Sequence, residues 1–179
     1  VVVGFKLEMI MEAHPTASFV YNEVYDQTNT SKSLLRALRA SQESGVLWLN
    51  GDVVFDHKVL ERVADRIAAD KSFVCVNTSA TADEEVKYTV DAQGYIKELS
   101  KSVKGALGEA VGINFISSHE KADVIIQLDA CGEQDYFERG LELAIEKHGL
   151  QMEPIDISDL FAVEVDFQDD LDRANKGLK

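Results

Sequence analysis

Apolar residues recur along this chain in two rhythms, and the switches between them mark the predicted elements. Val1-Val2-Val3-Gly4 reads as a strand already ending. Helical spacing follows, with Leu7, Ile10 and Met11 on one stripe of a short helix over residues 6–13 that Pro15 ends. A short strand is predicted at 18–21, a polar loop at 22–30, and an amphipathic helix at 31–41 with Leu34, Leu35 and Leu38 inward. Residues 46–50 (Val-Leu-Trp-Leu-Asn) read as a buried central strand. Asp56 can cap a helix over 57–69, whose Val59, Leu60, Val63 and Ile67 keep helical spacing.

The second half follows the same logic. A buried strand is predicted at 72–77. Residues 85–99 alternate faces on either side of Asp91-Ala92-Gln93-Gly94, the pattern of a β-hairpin. A strand follows at 110–116, and Ser117-Ser118-His119-Glu120 matches a capping box that opens a helix. Residues 135–148 form a longer helix stopped by Gly149. Strands at 152–156 and 161–165 and a helix at 168–175 complete the chain. Strands alternating with helices, interrupted once by a hairpin, predict an α/β fold with a mostly parallel central sheet.

Length and composition narrow the chemistry. The 179 residues suffice for one domain with a proper core, and 45% hydrophobic and 28% charged residues are ordinary for a globular protein. A net charge of −14 argues against a nucleic-acid binder, which needs a basic footprint. No apolar run approaches the roughly 18 residues of a membrane span, and no signal peptide is evident. Cys75 and Cys131 form no C-x-x-C, and the four histidines form no zinc motif. A reduced, cytoplasmic protein is therefore expected.

Two acids stand at the ends of predicted strands: Asp52 in Asn50-Gly51-Asp52, and Asp166 in Glu164-Val165-Asp166. Asn-Gly-Asp also favours turns. Asp56, however, is available to cap the next helix, which leaves Asp52 without that duty. Asp166 could cap the last helix, but it pairs with Glu164 on one strand face, and two such acids are costly to bury without a cation. Together these carboxylates point to a divalent metal holding phosphates at the rim of the sheet. Lys101 leaves a strand end and could meet a phosphate, although on spacing alone it reads as a solvated lysine among several. The loop 22–33 carries amides and hydroxyls that could serve a nucleotide through a helix N-terminus or simply cap that helix. No G-x-G-x-x-G, G-x-x-x-x-G-K-[ST] or G-x-S-x-G is present, so a dinucleotide fold, a P-loop NTPase and a serine hydrolase are unsupported.

Four segments in order carry a family resemblance. They are Asn22-x-x-Tyr25-x-x-Thr28-Asn29-x-x-x-Ser33-Leu34, Leu49-Asn50-Gly51-Asp52-Val53-Val54-Phe55, Gly108-Glu109-x-x-Gly112-Ile113 and Glu164-x-Asp166-x-x-x-Asp170-Leu171-x-x-Ala174. Over nearly the whole chain this resembles the nucleotidyltransferases that act on sugar phosphates and phosphocholine. The resemblance implies a GT-A-like α/β fold and transfer of a nucleotidyl group from an NTP, often CTP, to a small phosphomonoester. Phosphocholine, a polyol phosphate or a sugar 1-phosphate would be the acceptor, and pyrophosphate would leave. Position by position, Asp52 and Asp166 match acids that hold Mg²⁺, with Glu164 beside them as a third ligand. Lys101 matches a lysine on the acceptor phosphate, Glu109 and Gly112 fall in the acceptor pocket, and Asn29 and Ser33 fall on the nucleotide side.

One family feature has no counterpart. Such proteins open with a strand and a Gly-rich loop bearing an arginine and a lysine. The expectation is therefore one domain, residues 1–179, lacking its first strand, loop and helix, with activity of this chain alone left open. A metal-dependent glycosyltransferase of similar fold and a non-catalytic module are the alternatives. Neither nucleic-acid binding nor membrane insertion is expected, and the oligomeric state is left open, a homo-oligomer included.

Overall fold

In chain order the elements are β1 (Val2–Val3), α1 (Leu7–Ala13), β2 (Val20–Tyr21), α2 (Thr30–Ala40), β3 (Val46–Leu49), β4 (Val53–Phe55), α3 (Lys58–Ala68) and β5 (Phe73–Asn77). Then come β6 (Lys87–Val90), β7 (Ile96–Ser100), β8 (Gly108–Ile116), α4 (Lys121–Ala130), α5 (Phe137–His148), β9 (Glu153–Asp156), β10 (Ala162–Glu164) and α6 (Gln168–Gly177). This computed structural model describes residues 1–79 and 85–177. The chain divides into two units, one of Val1–Ser44 with His119–Leu150, the other of Gly45–Ser118 with Gln151–Lys179.

The first unit packs α2, α4 and α5 together beside the parallel pair β1–β2. Leu34, Leu35 and Leu38 are buried on α2, as their spacing predicts. Two lysines tie α2 and α4 reciprocally. Lys32 donates to the carbonyls of Leu128, Asp129 and Cys131 at the C-terminal end of α4. Lys121 in turn donates to Ser41 Oγ and to the carbonyls of Gln42 and Ser44 just past α2. Each lysine thus supplies the donors that carbonyls at a helix end lack. Gly149 stops α5 in the left-handed conformation, φ 71°. The stripe expected on α1 is not a core stripe: the helix has two turns, none of its residues is buried, and Met9 is 62% exposed.

The second unit is built on a six-stranded sheet in which β7, β6, β8, β5 and β9 follow one another and β3 lies against β8. The α/β class holds, but the sheet is mixed rather than mostly parallel. Among the described residues of this sheet only β5–β9 runs parallel, whereas β8 is antiparallel to β3, β5 and β6, and β6–β7 is an antiparallel hairpin. The hairpin reverses the chain before β8, and this turns β8 against its neighbours. Asp91 makes that reversal as expected: its carboxylate accepts from Gln93 N and Tyr95 N, and Gly94 has φ 89°. The core lies between α3 and one sheet face, with Val59, Val63, Phe73, Cys75, Val111, Ile113, Phe115 and Ile157 buried together.

Two further expectations are corrected here. Among the described residues β3 pairs on one side only, with β8, and Leu49 is 43% exposed, so it is no buried central strand. The predicted helix start shifts from Ser117 to Lys121, and the Ser117 backbone N–H that a capping box would use goes to a distant group. Ser117 N donates to Ser72 Oγ, and Ser118 N and Oγ both donate to Asp70. Helix α4 accordingly starts at Lys121 without a side-chain cap.

Candidate functional site

Beyond β3 the chain turns at Asn50, Val53 N reaching Asn50 O at 3.4 Å, and enters β4. β4 pairs antiparallel with β10, Val53 opposite Glu164, and Val165 N donates to Asp52 O at 2.9 Å. This small ladder, rather than a sheet rim, brings the β3–β4 turn to the acids after β10. Asn50-Gly51-Asp52 is therefore a turn and a candidate site at once.

Glu164 is the half-buried member of the acid set, and Asp52 and Asp166 are exposed. Burial first, then the charges of Glu85 and Asp52 and more weakly Asp166, push the Glu164 carboxyl up to about 7, while a hydrogen bond from Asn50 opposes them. That bond runs from Asn50 Nδ2 to Glu164 Oε1 at 3.3 Å. Among the described residues the carboxylates of Asp52 and Asp166 have no hydrogen-bond or ion-pair partner. Asp166 lies past the end of β10, so strand alternation does not place it on the face of Glu164. Nor does it cap α6. Asp170 takes that role, its carboxylate accepting from Phe167 N at 3.1 Å.

A second group adjoins the first. Burial, then the charges of Glu109, Asp166 and Asp170, raise the Glu85 carboxyl, while Lys101 opposes them. Lys101 is exposed just beyond β7. Glu109, on β8 opposite Asn77, accepts from Asn77 Nδ2 at 3.2 Å. Gly112, also on β8, has φ 68°, and a Cβ there would lie 2.7 Å from Asn50 Nδ2. Within this unit six of the expected residues (Asp52, Lys101, Glu109, Gly112, Glu164 and Asp166) are thus joined by shared neighbours. Asn50, Glu85 and Asp170 belong with them. Sequence reasoning missed all three as site residues, although Asn50 and Asp170 stand in two of the four segments that carry the family resemblance.

Asn29 and Ser33 lie in the other unit. Asn29 is the N-cap of α2, its side chain accepting from Thr30 N at 2.8 Å. Ser33 Oγ accepts from Asn22 Nδ2 at 3.2 Å. Buried Asn22 organises that loop, bonding Thr28 and Ser33 through its amide and accepting from Val24 N and Arg36 Nε.

Among the described residues no three His, Cys, Asp or Glu side chains form a group that could hold a metal ion. The donors nevertheless suit Mg²⁺, which takes one or two carboxylates and completes its shell with water and substrate phosphates. A half-buried carboxyl repelled by neighbouring acids is also what a cation would relieve. Because the fold raises Glu164 above its ordinary value of 4.5, it favours the protonated form. The resulting stability is full below about 4.5 and is lost as pH rises through about 7. Glu164→Gln, which mimics the protonated acid, should match wild type at pH 4.5 in metal-free buffer. At pH 8 it should exceed wild type by about 1–2 kcal/mol after allowance for solvent screening. Denaturant unfolding in EDTA at both pH values measures this, and equal differences at both would show an ordinary carboxylate.

No helix among the described residues is long and apolar enough to cross a membrane. Residues 1–121 match the family described as MobA-like NTP transferase domain. No curated protein sequence matches. Among solved structures, the inositol-1-phosphate CTP transferase from T. maritima is similar with a TM-score of 0.76 at 14% identity, over 94% of this chain and 70% of that one. HddC from Yersinia pseudotuberculosis gives 0.69 at 13% identity, over 99% and 77% of the two chains. The CTP:phosphocholine cytidylyltransferase LicC from Streptococcus pneumoniae gives 0.69 at 14%, over 100% and 78%. At these identities the likeness is one of fold.

Proposed function

The chain belongs to the MobA-like NTP transferase domain family, and from that premise we propose that it transfers CMP from CTP to a small phosphomonoester, releasing pyrophosphate. Phosphocholine, a polyol phosphate and a sugar 1-phosphate are the acceptor classes. The observation that carries this reading is the acid set around Glu164, in which two exposed carboxylates lack protein partners among the described residues. CTP is favoured because two proteins of similar fold are named for CTP transfer.

An acceptor phosphate oxygen attacks the α-phosphorus of the NTP. The new P–O bond forms as the bond to the bridging oxygen breaks, and pyrophosphate leaves with that electron pair. No protein nucleophile is needed, so the chain's contribution is positioning and charge. Asp52 and Asp166, with Glu164 beside them, would hold Mg²⁺, which supplies charge neutralisation to the phosphates when bound. Lys101 steadies the acceptor phosphate from the end of β7. Glu109 and Gly112 wall the acceptor on β8.

The test is pyrophosphate release by the full gene product with Mg²⁺ and each of the four NTPs, against phosphocholine, glycerol phosphate, inositol phosphate and hexose 1-phosphates. Release with CTP and one acceptor is the expected result. Silence across the panel from folded protein would overturn the proposal. Transfer from a preformed nucleotide-sugar without pyrophosphate release would replace it with glycosyl transfer.

A further inference from the structure

Asn50 stands in a turn, and a turn alone would account for an asparagine. Yet the backbone makes that turn through Val53 N and Asn50 O. The side chain makes none of the local bonds of an Asx turn. Among the described residues its single hydrogen bond goes to Glu164 Oε1, 114 positions away. β8 is shaped around the same side chain. Its ladder with β5 breaks register between Val74 and Val76, across the stretch of β8 that holds Gly112. A Cβ on Gly112 would lie 2.7 Å from Asn50 Nδ2, 2.8 Å from Cγ and 3.0 Å from Cβ, closer than real contacts allow. Gly112 O also accepts from Asn50 N at 2.8 Å, so the two residues are joined by backbone as well as by contact.

We propose that Asn50 is a positioning residue. Its amide holds the Glu164 carboxylate in the orientation in which the acids of this set take up a divalent cation, and Gly112, which its φ of 68° already favours as glycine, leaves open the space that amide fills. The inference rests on the reading of those acids under the proposed function. A donor on one carboxylate oxygen restrains the plane of the group. Loss of such outer hydrogen bonds typically weakens metal binding roughly 10- to 100-fold.

Mn²⁺ alone, titrated into the full gene product and followed by the EPR signal of the free ion, gives a dissociation constant that does not depend on turnover. Asn50→Leu keeps nearly the same shape without the donor. It should weaken Mn²⁺ binding by about tenfold while Tm in EDTA stays near wild type. Asn50→Ala should show the same loss and serves if the leucine variant does not fold. Asp52→Asn, which removes an assigned ligand, is the reference. Wild-type affinity in folded Asn50 variants, beside weakened binding in Asp52→Asn, would overturn the positioning role and leave the acid set standing. Undiminished affinity in Asp52→Asn as well, or no Mn²⁺ binding by the wild type, would overturn both.

Discussion

Asp52→Asn in the full gene product is expected to cut pyrophosphate release by on the order of a hundredfold or more, the usual scale for removing one charged or polar partner of a developing charge. At 1.36 kcal/mol per decade this is about 3 kcal/mol of lost transition-state stabilisation. The fold should not suffer. The Asp52 carboxylate is exposed and has no hydrogen-bond or ion-pair partner among the described residues. The structural bond of the residue, Val165 N to Asp52 O, is backbone and survives the substitution. Neutralising Asp52 also removes one of the charges that disfavour ionised Glu164. Tm in EDTA should therefore equal or slightly exceed that of wild type. Rates at saturating CTP and acceptor, together with Tm, separate the two effects. Wild-type turnover would sink the assignment of Asp52, and a collapsed Tm would make it a structural residue.

Local patterns were legible in the chain, and distant pairings were not. The α2 stripe, the Asp91–Gly94 reversal and the Gly149 stop each depend on residues within a few positions, and all three stand in the structure. The direction of β8 depends on three partners far apart in the chain, so strand–helix alternation misleadingly suggested a parallel sheet. The start of α4 shifted for the same reason, since Ser72 and Asp70 take the backbone N–H groups of Ser117 and Ser118 from more than 40 positions away. Glu164 and Asp52 could be singled out because buried or strand-end acids are unusual. Asn50 could not, because its residue type already satisfied the turn and its partner lies near the other end of the chain.

The largest loss of stability is expected from Phe73→Ala. Phe73 is fully buried on β5, between β8 on one side and β9 on the other. Its ring stacks on that of Phe115 with centroids 5.7 Å apart and planes 17° from parallel. It shares the core with Val59 and Val63 of α3 and with Ile113. Strands on both sides hold the backbone, so the surroundings cannot collapse into the vacated volume. The transfer and cavity terms should then add to about 3–5 kcal/mol, with the aromatic pair contributing up to about 1 kcal/mol of it. For a domain of this size that lowers Tm by roughly 10 °C. Phe73→Leu retains most of the volume and should lose less than half as much. The consequence for function is specific, because the same β5–β8 ladder carries Asn77 opposite Glu109 and flanks Gly112. Below its lowered Tm, Phe73→Ala should keep the wild-type KM for CTP yet lose acceptor affinity as the ladder loosens. Denaturant unfolding and separate KM values check this, and a loss under 1 kcal/mol would mean that the core repacks around the missing ring.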